Sequence, residues 1–250
     1  MKSYTDYAHH SVSMVNLGTL TEKIREEHRQ NNITKVLETG TFIGLGSTRT
    51  LAEAFGTEKN IPEIYTLEAN WRNWRKAVKN LQQFSYVNPV WGMSVSREEA
   101  IEFVKKDEAI KNPDNFPDIF IDGGDNPMAF YLRELSGEFG NSRYKVLNYY
   151  YNFLKERDRV DHYKGEDLLR FFLNKFKNDH PMVVLDSSGA IGLLEFNIVK
   201  EVMGDKPFYL LLDDIRHLKH FRSYEELKSG NGFELIQVDE EAGWAFAKKV

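Results

Sequence analysis

Glu38, Thr39, Gly40, Thr41, Phe42, Gly44 and Ser47 form the densest group of chemically consequential residues in this 250-residue chain. They lie in the run Val36-Leu37-Glu38-Thr39-Gly40-Thr41-Phe42-Ile43-Gly44-Leu45-Gly46-Ser47-Thr48. An apolar pair ends in an acid, glycines follow, and an amphipathic helix opens. The pattern predicts a strand, a tight turn and a helix start that a ligand can approach closely. Glycines carry no Cβ to obstruct it, and the free N–H groups of the first helical turn point into the same space. An ionised Glu38 only accepts hydrogen bonds, so it suits a ligand with donors or positive charge.

The spacing narrows that ligand. Dinucleotide enzymes use G-x-G-x-x-G to seat a diphosphate on the helix start. Here the spacing is Gly40-x-x-x-Gly44-x-Gly46 behind a carboxylate that would repel phosphate. S-adenosylmethionine carries an ammonium, a sulfonium and an adenosine but no phosphate, and the sequence favours it over a nicotinamide cofactor. A second acid, Glu68, ends Ile64-Tyr65-Thr66-Leu67-Glu68, where a carboxylate accepts from ribose hydroxyls.

A second set of acids is spread along the chain. Ile121-Asp122, Leu185-Asp186 and Leu212-Asp213-Asp214 each end an apolar run. In a parallel sheet the strand C-termini share one rim, so these carboxylates are expected to converge. Clustered carboxylates raise one another's pKa unless a cation sits among them. Hard oxygen ligands of this kind suit Mg2+, which would hold a substrate hydroxyl and lower its pKa. In Asp213-Asp214-Ile215-Arg216-His217-Leu218-Lys219-His220, the spacing of Asp214, His217 and His220 would place them on one face of a helical turn. His217, nearer the acids, is the expected general base with Asp214 beside it. Asp213, Asp214, His217 and His220 as zinc or iron ligands is the lesser alternative. Asp186-Ser187-Ser188-Gly189-Ala190-Ile191-Gly192 reads as a helix-capping loop, and its serines do not match the G-x-S-x-G elbow of hydrolases.

The elements that must position these residues alternate between short apolar strands and helical patterns. Strands are expected at 35–38, 64–68, 87–91, 118–122, 182–186, 208–213, 233–238 and 243–248. Helices are expected at 18–31, 47–56, 71–83, 97–106, 145–157, 166–178 and 193–203. Trp74, Val78 and Leu81 predict one apolar stripe. The expected fold class is α/β: a Rossmann-like, doubly wound, mostly parallel sheet closed by a C-terminal antiparallel hairpin. Residues 127–180, rich in Tyr, Phe, Arg and Lys, read as a helical insertion within a single domain spanning 1–250. That insertion is expected to serve as a lid or an oligomer contact.

Bulk properties exclude several classes. A net charge of -5 argues against a nucleic-acid-wrapping protein. The chain has no cysteine, which removes disulfides, thiolate metal sites and cysteine nucleophiles. Met1–Asp6 lacks the apolar core of a secretion signal. No run reaches the roughly 18 apolar residues of a membrane span. The expectation is a cytoplasmic enzyme with a small-molecule partner.

The chain resembles the class I S-adenosylmethionine-dependent methyltransferase superfamily. The likeness rests on Glu38-Thr39-Gly40-Thr41-Phe42-Ile43-Gly44, on Thr66-Leu67-Glu68, on Pro117-Asp118-Ile119-Phe120-Ile121-Asp122-Gly123-Gly124 as a fourth-strand pattern, and on Gly243-Trp244-Ala245-Phe246-Ala247-Lys248 in the hairpin. It covers the chain outside 127–180. The resemblance implies that Glu38, Thr39, Gly40, Thr41, Phe42, Gly44 and Ser47 hold the methionine end of the cofactor. It places Glu68 and Ala69 at the ribose, and Gly92, Met93 and Ser94 beside the adenine.

The acidic rim resembles the metal-dependent sugar O-methyltransferases of the macrocin type, which carry one acid after the fourth strand and an acidic pair after the fifth. Asp213 and Asp214 fit the pair. The single acid is Asp186 or Asp122, because the chain shows one strand–helix unit too many. Asp186 is preferred, leaving Asp122 to face the cofactor or a substrate. The implied activity is methyl transfer to a hydroxyl of a sugar or natural product. A nicotinamide oxidoreductase and a non-catalytic cofactor-binding protein are the alternatives.

Overall fold

The computed structural model describes residues 18–136 and 145–250. The expectations for Met1–Asp6, and for 137–144 within the 127–180 segment, lie outside the described residues. In chain order the elements are α1 Gly18–Asn31, β1 Lys35–Thr39, α2 Ser47–Phe55, β2 Glu63–Glu68, α3 Trp71–Leu81, β3 Val87–Trp91, α4 Arg97–Lys106 and α5 Glu108–Lys111. They continue with α6 Pro127–Ser136, α7 Lys145–His162, α8 Leu168–Phe176, β4 Met182–Leu185, α9 Gly192–Met203, β5 Tyr209–Leu212, α10 Phe221–Lys228, β6 Phe233–Asp239 and β7 Trp244–Lys249.

The strands form one seven-stranded sheet in the order β3-β2-β1-β4-β5-β7-β6. The pairs among β1 to β5 are parallel, and β7 enters antiparallel between β5 and β6. This is the Rossmann-like sheet with a closing hairpin that the alternation of strands and helices predicts. The order reverses between β1 and β4. In open α/β sheets, that reversal opens a crevice at the strand C-termini where ligands bind.

The sheet is covered on both faces. One apolar layer joins α1, α2 and α3 to residues such as Val36, Ile64, Val184 and Phe246. The other joins α8, α9 and α10 to Leu37, Val183, Leu185 and Leu210. Helix α8 buries Leu168, Leu169, Phe172, Leu173 and Phe176. Burying these five side chains contributes on the order of 10 kcal/mol before chain entropy is counted. Although it falls inside the 127–180 segment, α8 is a sheet-covering helix that packs on β1 and α9.

Three local expectations are corrected. Residues 118–122 form no strand; Phe120 makes a single parallel bridge to His217. The place beside β1 is taken by Met182–Leu185, all four buried. Four uncharged apolar residues suit a strand covered on both faces, whereas Asp118 and Asp122 bracket only three. The extra strand–helix unit is therefore an expansion between β3 and β4, and Asp186 follows the fourth strand of the sheet. Val78 lies outside the apolar stripe and is 41% exposed, because α3 turns Trp71, Trp74, Ala77 and Leu81 inward instead. Residues 214–220 are turns and a bridge, with no helix until Phe221.

Candidate active site

The site is built from the C-terminal ends of β1, β4 and β5. The amide of Asp186 donates to the Thr39 carbonyl and that of Asp213 to the Leu185 carbonyl, both at 3.2 Å. These bonds carry the sheet register one residue past each strand and set Asp186 and Asp213 side by side. One carboxylate oxygen from each of Asp186, Asp213 and Asp214 lies within 4.8 Å of the other two. Asp214 adopts φ +55°, a left-handed conformation that aspartate tolerates better than most residues. It turns the chain back over the rim.

The structure adds a residue that the sequence reading passes over. Lys219 Nζ lies 2.8 Å from Asp214 Oδ2 and 3.1 Å from Asp186 Oδ1, and its side chain is only 7% exposed. Burial pulls its pKa down, but Asp186, Asp214 and Asp213 outweigh that and raise it above the ordinary lysine value. Its ammonium is therefore the cation of the cluster. Asp214 pairs with Lys219, while His217 turns to a different acid.

That acid is Asp122. His217 Nε2 and Asp122 Oδ2 are 2.9 Å apart. The Lys219 amide donates to His217 Nδ1 at 3.2 Å, so Nε2 carries the hydrogen and donates it to the carboxylate. The pair is held by its backbone: Phe120 N donates to the Arg216 carbonyl and Leu218 N to the Phe120 carbonyl. Tyr131, fully buried, accepts the Asp122 amide at 2.9 Å. Burial acts to raise the Asp122 pKa, but His217, Tyr131 and Lys219 together hold it below the usual range. His220, by contrast, is fully buried against Gly192, and burial holds it neutral.

The glycine loop closes beneath the rim. Glu38 is fully buried. Its Oε1 accepts from Ser47 Oγ at 2.7 Å, and its Oε2 from Thr48 Oγ1 at 2.5 Å and Thr66 Oγ1 at 2.6 Å. Burial pushes its pKa up to about 7 against these three donors. Ser47 Oγ also faces Asp186 Oδ2 at 3.3 Å. Two carboxylates thus meet the first residue of α2, which has no side-chain cap from Gly46.

Gly40, at φ +90°, packs so tightly that a Cβ there would stand 2.2 Å from the Asp186 carbonyl oxygen. Gly44, at φ +71°, faces Leu81 and Ala77 on α3, so it serves packing instead of ligand approach. The amides of Gly40 and Thr41 donate to the Leu67 carbonyl. Phe42 is 62% exposed.

The remaining expected residues divide between open and covered positions. Glu68 is nearly buried and accepts from the amides of Asn70 and Phe42; burial pushes its pKa up to about 7. Ala69 is exposed, and its carbonyl accepts from Trp91 Nε1. Met93 pairs by backbone with Gly165 and Leu168, and Ser94 with Leu169; Gly92 lies against Leu168 and Gly165. The chain returning from α7 therefore lies along the stretch expected at the adenine. Thr39 Oγ1 and Ser187 Oγ both donate to Glu195 Oε2, at 2.9 and 2.7 Å. Glu195 is fully buried; an acid among the otherwise uncharged first residues of α9, Gly192-Leu193-Leu194-Glu195-Phe196, is the signal that could have found it.

No family model and no curated protein matches the chain. Solved structures align over nearly its whole length at low identity. A putative caffeoyl-CoA O-methyltransferase from Staphylococcus aureus is 14% identical, covers 100% of this chain and 93% of its own, with a TM-score of 0.45. An O-methyltransferase from Bacillus cereus in complex with SAH is 11% identical over 99% of this chain and 90% of its own, with a TM-score of 0.45. TomG, an O-methyltransferase from Streptomyces achromogenes in complex with SAM, is 11% identical over 99% and 89%, with a TM-score of 0.44. Similarity at this level says nothing of activity, and the functional reading rests on the side chains of the rim.

Proposed function

We propose that this protein is an S-adenosylmethionine-dependent methyltransferase acting on a hydroxyl of a small molecule, such as a sugar or natural product. One observation carries the reading: Ser47, which opens α2, stands between the carboxylates of Glu38 and Asp186. In a dinucleotide enzyme the same helix start receives a diphosphate. Glu38 lies buried beneath three hydroxyls and shapes this helix start, while the partly exposed Asp186 presents a carboxylate that disfavours phosphate and suits the ammonium of an amino-acid tail. This favours the sulfonium cofactor over NAD.

When bound, the cofactor supplies a methyl group on a positively charged sulfur. The chain's own residues do the rest. Glu38 acts from beneath, holding Ser47, Thr48 and Thr66 so that the loop from Gly40 to Ser47 keeps one shape. Thr39, Thr41 and Phe42 complete that loop. Glu68 and Ala69 stand at the ribose side of the crevice, and Gly92, Met93 and Ser94 back the adenine side from behind the 165–169 segment that covers them. Asp122 keeps the imidazole of His217 in the tautomer whose Nδ1 is the accepting atom. For His217 to take a proton from an acceptor hydroxyl, Nδ1 must give up its 3.2 Å contact with the Lys219 amide, the longer of the two bonds that hold the ring. Both partners of this base are supplied by the bridge between Phe120 and His217.

Mg2+ does not fit the residues present. Asp186 and Asp214 each already take the Lys219 ammonium. Helix α7 exposes Val146, Tyr149, Tyr150, Phe153 and Val160, which suits a lid or a homo-oligomer contact. A cytoplasmic location without a nucleic-acid partner agrees with the net charge of -5 and the absence of cysteine. No helix among the described residues is long and apolar enough to cross a membrane.

Thermal shift with S-adenosylhomocysteine against NADH tests the reading. At about 100 times its dissociation constant a ligand stabilises by roughly 2.7 kcal/mol. A rise in melting temperature with S-adenosylhomocysteine alone is expected; a rise with NADH alone overturns the assignment.

A further inference from the structure

The acidic triad of this rim has the composition of a divalent-cation site but already contains a cation of its own. We propose that the Lys219 ammonium permanently takes the place of a metal ion among Asp186, Asp213 and Asp214. In that role Lys219 is a positioning residue, and the chemistry of the rim is metal-independent. The inference deepens the transferase reading but is tested apart from it, on the protein without cofactor.

Three features show that the lysine is built into the cluster instead of resting near it. Its Nζ is within hydrogen-bond distance of two of the three carboxylates. Its backbone is pinned by two successive amides: Leu218 is fully buried and donates to the Phe120 carbonyl, and the Lys219 amide donates to His217 Nδ1. The side chain itself is almost wholly enclosed. An enclosed ammonium survives only with carboxylate partners to offset its lost hydration. The same carboxylates cannot also bind Mg2+ closely, since that ion demands near-octahedral oxygen geometry at about 2.0–2.1 Å and keeps its own waters.

The ammonium also links distant parts of the site. It bonds to Asp186, whose other oxygen faces Ser47, and Ser47 in turn bonds to Glu38. Lys219 thereby joins the ends of β4 and β5 to the start of α2. The groups facing it are Asp186, Asp213 and Asp214 at the strand ends, with Glu195 and Asp122 electrostatically coupled to it from α9 and from the segment before α6.

The experiment uses the full chain and Mn2+ alone as the probe, followed by electron paramagnetic resonance and thermal shift. The wild type is expected to leave added Mn2+ free in solution and to melt at the same temperature with or without chelator. Lys219→Met removes the charge while keeping much of the stem. It is expected to gain a one-to-one Mn2+ site, read as loss of the free-ion resonance signal on titration and a Mn2+-dependent rise in melting temperature. Adding Asp213→Asn to Lys219→Met is expected to remove that gain. One-to-one Mn2+ binding by the wild type, weakened by Asp213→Asn, overturns the proposal. So does a folded Lys219→Met variant that binds no Mn2+. If Lys219→Met does not fold even with Mn2+ present, the wild-type titration decides alone: no stoichiometric binding supports the proposal, and one bound ion overturns it.

Discussion

Nε2 of His217 and Oδ2 of Asp122 are 2.9 Å apart although the two residues are separated by 95 positions in the chain. Asp122 arrives on a segment that never enters the sheet, and His217 on the turns that follow β5. A two-bond backbone bridge between Phe120 and residues 216 and 218 brings them together. The histidine chosen from the sequence thus finds its acid in a different segment from Asp214.

This pairing predicts a catalytic defect without a binding defect. Asp122→Asn keeps the shape but removes the charge, so the imidazolium that forms when His217 takes a proton loses its carboxylate partner. Activity is expected to fall by roughly 10²–10⁴-fold, with S-adenosylhomocysteine affinity unchanged by calorimetry. His217→Gln should fall as far, and the double variant little further. Independent, multiplying losses would show that the two do not act as one unit.

Buried Glu38 makes stability depend on pH. Burial raises its pKa from the ordinary 4.5 to about 7. Between those values the folded chain keeps a proton that the unfolded chain has lost, so stability falls as pH rises across the window. The shift amounts to about 3 kcal/mol at most. Glu68, also at about 7, acts in the same direction. Urea unfolding of Glu38→Gln from pH 4 to 8 is expected to show a flatter profile than the wild type; an unchanged slope would mean that Glu38 stays ionised throughout.

Gly40→Ala tests the junction of β1 and β4. The new Cβ would meet the Asp186 carbonyl at 2.2 Å and sit at φ +90°, where an L side chain is strained. A loss of at least ~2 kcal/mol in stability is expected. Gly46, whose Cβ would meet nothing within 4 Å, is the comparison, and Gly46→Ala should cost clearly less.

Asp158 fastens α7 to the body. Its Oδ2 accepts from Trp71 Nε1 at 2.9 Å and lies 3.5 Å from Arg75 Nε. Trp74, Trp91 and Tyr163 pack beside this contact. Asp158→Ala leaves the indole N–H of nearly buried Trp71 unpaired, costing about 1–3 kcal/mol. Hydrogen exchange should quicken along 146–162 while β4 stays protected. Uniform acceleration across the sheet would instead mean that α7 unfolds only with the whole domain.

Much of the architecture was legible in the chain because it follows from local periodicity. Lys35–Thr39, Val87–Trp91 and Arg97–Lys106 carry their own apolar pattern, breakers or caps, and the closing hairpin is signalled by two apolar runs around an acidic turn. Glu38 and Glu68 were found for the same reason, each ending an apolar run. The segment 118–122 was misjudged because its pattern is locally strand-like. Only the competition with Met182–Leu185 for the single place beside β1 excludes it.

The amino-acid order by itself determined the parallel sheet, its antiparallel closure and the acids at the strand tips, since side-chain periodicity and strand length encode these directly. Tertiary structure alone decided which charges meet. Lys219 reaches Asp186 and Asp214, Asp122 reaches His217, and Ser47 joins Glu38 to Asp186 only because sheet register and a two-bond bridge bring separate segments together. Electrostatic partners are set by distance in space, and spacing along the chain holds no record of it beyond a helical turn or a neighbouring strand.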